Sequence, residues 1–100
     1  MVLKRRIIMI KNILLVVEGR VQGVGFRYTT KQIADEIGIK GTVRNNQDGT
    51  VSIEAVGQEE QVNRFIEKIK NNPTPFSKVD NVSIQEKESI ENFVSFRITN

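Results

Sequence analysis

The chain is 100 residues long, 38% hydrophobic and 27% charged, a composition that specifies one soluble globular domain and leaves no room for a second. It contains no cysteine and no histidine, which excludes disulfides, thiolate nucleophiles, Cys-ligated metal centres, His-based general bases and His-rich metal sites. The net charge is +3, but Lys4, Arg5, Arg6 and Lys11 all precede the first carboxylate, Glu18, so the basic excess belongs to the N-terminal end and the rest of the chain is close to neutral.

Lys4-Arg5-Arg6 followed by Ile7 to Ile10 begins like a secretory leader, yet Lys11 and Asn12 interrupt the apolar run and no small-residue cleavage site follows. No stretch approaches the roughly 20 apolar residues that a membrane span requires. The expectation is a cytoplasmic protein. Residues 1–8 read as a basic, disordered extension, dispensable because Met9 offers a second start, and residues 9–100 as a single domain.

Ile10 to Glu18 is apolar and β-branched, and predicts an interior strand bounded by Gly19. Gly19 to Gly25 predicts a loop. Phe26, Thr30, Ile33, Ala34 and Ile37 then share one helical face, and Gly38 stops the helix as a glycine just past a helix end does. Ile39 to Asn46 and Thr50 to Val56 flank Gln47-Asp48-Gly49, a hairpin signal, with Val51, Ile53 and Ala55 on one face of the second run. A second helix is predicted from about Gln58 to Lys70. Its acidic start suits the helix dipole, and Val62, Phe65, Ile66 and Ile69 form its buried stripe. Asn71-Asn72-Pro73 ends it. Val79 to Lys87 alternates with Val82 and Ile84 together, and Phe93 to Thr99 alternates with Val94, Phe96 and Ile98 together. The order is βαββαβ with a short edge strand. It predicts an α+β, ferredoxin-like sandwich: an antiparallel four- to five-stranded sheet with two helices on one face. That plan hosts many unrelated activities, so function has to be argued from a site.

The informative string is Gly19-Arg20-Val21-Gln22-Gly23-Val24-Gly25-Phe26-Arg27, which joins a strand to a helix. Glycines let backbone turn sharply and approach a ligand, and a helix N-terminus offers free N–H groups and the positive end of its dipole. Arg27 falls in the first helical turn, where a guanidinium can fork onto two phosphoryl oxygens. The string lacks the Gly-Lys-Ser/Thr of a P-loop and the glycine spacing of the dinucleotide fingerprint. Spacing alone supports an anion site and a plain turn beside a surface arginine about equally. Glu18, Asp48 and Asp80 show no metal-ligand spacing.

At this string the chain resembles the acylphosphatase family, which carries G-R-V-Q-G-V-x-F-R between its first strand and first helix. Every specified position is present here. The family's second motif, G-x-V-x-N before a D-G turn, appears as Gly41-Thr42-Val43-Arg44-Asn45 with Asp48-Gly49, and Pro73-x-Pro75 resembles its link into the fourth strand. The resemblance covers nearly the whole chain from about Ile10. It implies hydrolysis of acyl phosphates to carboxylate and phosphate, with no metal or other cofactor, by a monomer. Arg27 would bind the phosphoryl group, Asn45 would orient the attacking water, and the backbone N–H groups of Arg20, Val21, Gln22, Gly23, Val24 and Gly25 would line the phosphate cradle. Arg20 would add positive potential, Asn46 is a candidate to support Asn45, and Arg44 should point away from Asn45 by strand alternation.

The chemistry suits a chain without His or Cys. A carboxylate leaves readily as its anion, and positioning with charge stabilisation carries most of phosphoryl transfer. Two rival readings remain. An RNA-recognition module shares the element order, but Ile13 to Val17 and Val51 to Ala55 carry none of the base-stacking aromatics it uses, so no nucleic-acid partner is expected. A non-catalytic anion-binding domain is the other, since similar domains begin large hydrogenase-maturation proteins. Three departures from the family pattern are Gly25 at the open motif position, Thr42 where many members carry an aromatic, and the lack of a terminal tyrosine.

Overall fold

Ile13, Leu15 and Val17 of β1 make an aliphatic face toward the helices, and that face organises the molecule. The computed structural model describes residues 9–88 and 92–99; the expectations for residues 1–8 and for the terminal residue lie outside them. The elements are β1 (Ile10–Arg20), α1 (Phe26–Ile37), β2 (Lys40–Asn45), β3 (Val51–Gln58), α2 (Glu59–Lys70), β4 (Lys78–Lys87) and β5 (Phe96–Ile98). The strands form one sheet in the order β4-β1-β3-β2-β5. Ile13, Leu15 and Val17 of β1 lie beside Ala55, Ile53 and Val51 of β3, and all six are buried. Phe26, Ala34 and Ile37 of α1 and Val62, Phe65 and Ile69 of α2 cover that face. Ile33 and Ile66 pack at its margin. The two predicted helical stripes are therefore the two buried faces, and the α+β plan with two helices on one side of a sheet is the observed one.

The ends of the helices follow from their sequences. Gly38 takes a left-handed conformation, and its N–H donates to the Ala34 carbonyl at 2.8 Å, closing α1. At the start of α2, Gln58 and Gln61 form a reciprocal capping box, and Glu59 and Glu60 sit where the dipole favours them.

The structure corrects three details. The sheet is mixed and not wholly antiparallel, because β5 pairs parallel to β2, as Gly41 opposite Phe96 and Val43 opposite Ile98. The cause is topological. β4 holds one edge of the sheet, and the chain returning from it runs in the direction of β2, whose edge is open. Alternation of side chains does not encode strand direction. Second, β1 does not stop at Gly19. A register shift between Glu18 and Gly19 lets it continue, pairing Gly19 with Val79 and Arg20 with Lys78, so the loop begins one strand-end later than predicted. Third, β5 is shorter than the alternating run from Phe93. Pairing starts at Phe96, and Val94 is 86% exposed instead of sharing the buried face. Phe96 is buried against Phe65, ring centroids 6.0 Å apart and tilted by 58°.

Candidate active site

Where β1 hands over to α1, residues 21–25 form a glycine-rich loop. Gly23 and Gly25 hold φ values of 73° and 76°, a left-handed region that side chains resist. Gly25 is also the N-cap of α1, and no side chain caps that end. A Cβ at either glycine would meet nothing within 4 Å, so backbone conformation and not crowding selects glycine here. Val21 is 1% exposed and Val24 packs against the core, so the loop is pinned between its glycines.

Gln22 fixes the loop from the other side. Its Nε2 donates to the Asn46 carbonyl at 2.8 Å and to the Thr50 carbonyl at 2.9 Å. Those two acceptors belong to the β2–β3 turn. The turn is itself rigid: Asn46 Nδ2 donates to Thr50 Oγ1 at 2.9 Å and to Ser52 Oγ at 2.7 Å. Asp48 Oδ1 accepts from the Thr50 hydroxyl at 2.6 Å and from the Thr50 N–H at 3.0 Å. The hydroxyl bond first and the N–H bond second hold the Asp48 carboxyl below its ordinary value. Asn46 therefore serves the turn, and its side chain goes to Thr50 and Ser52 and not to Asn45.

Asn45, the last residue of β2, is carried by this turn to face the loop. Its side-chain oxygen is buried and accepts no hydrogen bond from the described residues. A buried amide oxygen left in this state is costly in an ordinary structural position. Arg27, half-buried in the first turn of α1, lines the same cleft, a space of about 200 Å³ that also touches Val21, Gly23 and Gly25.

Of the predicted site residues, Arg27, Asn45, Val21, Gly23 and Gly25 thus meet in one cleft. Gln22 and Val24 act as anchors of the loop. Arg20 is exposed at the end of β1 beside Lys78, outside the cleft lining, and Arg44 is exposed as alternation predicts. Tyr28 and Ile98, which sequence reasoning did not connect to the site, line the cleft as well. Adjacency to Arg27 was the only local signal for Tyr28, and alternation alone counted Ile98 with the core face. Among the described residues no group of three His, Cys, Asp or Glu side chains is placed to hold a metal ion, and no helix is long and apolar enough to cross a membrane.

A family model described as Acylphosphatase matches residues 13–98. An acylphosphatase of Enterococcus faecalis is 50% identical over 82 residues, covering 82% of this chain and 90% of that one. The crystal structure of acylphosphatase from Bacillus subtilis is similar with a TM-score of 0.87 and 42% identity, covering 92% of this chain and 100% of that one. Full-length HypF, in its phosphate- and nucleotide-bound form, is similar with a TM-score of 0.87 and 34% identity over 97% of this chain but only 13% of its own.

Proposed function

The chain belongs to the acylphosphatase family and hydrolyses acyl phosphates, and from that premise we propose that Arg27 holds the phosphoryl group while Asn45 orients the attacking water. The observation that supports this most is the buried, unpartnered Asn45 oxygen on the cleft that Arg27 and the glycine loop share. The Arg27 guanidinium forks onto two phosphoryl oxygens, and the uncapped N-terminus of α1 with the N–H groups of the Val21–Gly25 loop adds donors for the third. The Asn45 oxygen accepts a hydrogen bond from the water and fixes its approach in line with the leaving carboxylate.

Water oxygen bonds to phosphorus as the bond from phosphorus to the acyl oxygen breaks. The electron pair leaves with the carboxylate, and the proton of the water passes to the phosphate product or to solvent. The leaving group departs as an anion, so a general acid is not required, and a largely dissociative transition state asks little of a base. The reaction runs without metal or other cofactor, in a monomer in the cytoplasm with no nucleic-acid partner.

Hydrolysis of benzoyl phosphate in EDTA, compared across the wild type, Arg27→Gln and Asn45→Ala, tests the assignment. Each folded variant is expected to lose at least about 10²–10³ in kcat, the scale of removing a transition-state donor. A folded Arg27→Gln or Asn45→Ala protein with wild-type turnover removes that residue from the mechanism. Activity abolished by EDTA refutes the metal-free reading.

A further inference from the structure

The cleft has a chemically mixed lining. Arg27, Asn45 and the backbone of Gly23 and Gly25 supply its polar groups, and of its apolar residues Val21 and Phe26 are buried while Tyr28 and Ile98 stay exposed. Tyr28 is 63% exposed and Ile98 41% exposed. Single exposed apolar residues are ordinary, but these two are far apart in sequence and line the same cleft. Ile98 is held there by its pairing with Val43 and by the Thr99 N–H, which donates to the Val43 carbonyl at 2.9 Å. Tyr28 is held in α1 directly after Arg27.

An acyl phosphate is divided in the same way. The phosphoryl group lies on one side of the bridging oxygen and the acyl substituent on the other. A phosphoryl group seated against Arg27 and the glycine loop leaves its acyl substituent to the exposed apolar lining, Tyr28 and Ile98. Arg27 is the only charged side chain lining the cleft among the described residues, so a charged acyl group meets no counter-ion of its own there. We infer that Tyr28 and Ile98 form an acyl-group shelf that makes this enzyme select acyl phosphates with apolar acyl groups. The inference rests on the phosphoryl site proposed above and names the substrate class of that site.

The test is kcat/KM for acetyl, butyryl and benzoyl phosphate with the full chain, its Tyr28→Ala, Tyr28→Phe and Ile98→Thr variants, and Arg27→Gln as control. Folding of each is verified by circular dichroism. Differences in intrinsic substrate reactivity cancel when a variant is compared with the wild type. The benzoyl-to-acetyl ratio is expected to fall about tenfold in Tyr28→Ala, the scale of a lost apolar pocket contact, to fall less in Ile98→Thr, and to persist in Tyr28→Phe. Butyryl phosphate should lose its advantage over acetyl phosphate, up to about fourfold per methylene, in the same two variants. A ratio unchanged in both Tyr28→Ala and Ile98→Thr overturns the shelf. Arg27→Gln reads the other end of the substrate. If it lowers all three activities in parallel the phosphoryl site stands, and if it spares all three that site fails, whatever the ratio does.

Discussion

Asp48 shows what a single side chain contributes next to this site. Its carboxylate accepts two bonds from Thr50, which hold its pKa below the ordinary aspartate value. A group whose folded pKa is lowered adds stability above the ordinary value of about 3.9 and loses it as pH falls through the lowered one. The urea midpoint of wild type should therefore exceed that of Asp48→Asn near neutrality, and the gap should narrow as pH is taken below about 4. A gap independent of pH would show that the carboxylate charge is not what Thr50 stabilises. Arg27, Asn45, Gln22 and the loop glycines were legible as positions because each belongs to a short local string. The side-chain role of Gln22 and the presence of Tyr28 and Ile98 in the cleft were not, for a physical reason. The two bonds of Gln22 reach 24 and 28 residues along the chain, and no local pattern marks such acceptors.

Between elements, one glutamine does the work of two caps. Gln61 Oε1 accepts from the Gln58 N–H at 3.0 Å, while its Nε2 donates to the Ile37 carbonyl at 2.9 Å, so the start of α2 is tied to the end of α1. Gln61→Ala removes both bonds and is expected to cost about 1–2 kcal/mol in equilibrium unfolding. Gln61→Glu, which keeps the acceptor for Gln58 and loses the donor to Ile37, should fall between the two; equal stability of all three proteins would mean that the helix ends are held by packing alone. Helix positions and the hairpin were legible because periods of 3.6 and 2 residues and the Asp48-Gly49 turn are properties of adjacent residues. The register shift at Gly19 and the direction of β5 depend on which strand lies alongside, and no run of residues within β1 or β5 specifies its neighbour.

Across the whole molecule, the sheet order brings the strand nearest the C-terminus against the one that carries Asn45. Phe96 anchors it, buried in contact with Phe65. Phe96→Ala is expected to cost about 3–5 kcal/mol, as deletion of a buried ring does, and to depress activity on benzoyl phosphate in the population that remains folded, because Ile98 shares the strand. Chemical unfolding followed by circular dichroism, with turnover measured below the transition, separates the two effects. The cleft itself is assembled from Val21 through Ile98. During synthesis the glycine loop and Arg27 leave the ribosome early, yet the cleft wall they face waits for β5, some seventy residues later. A finished cleft thus requires the chain to extend through β5, and a polypeptide that stops before it, with both motifs intact, would lack the complete site.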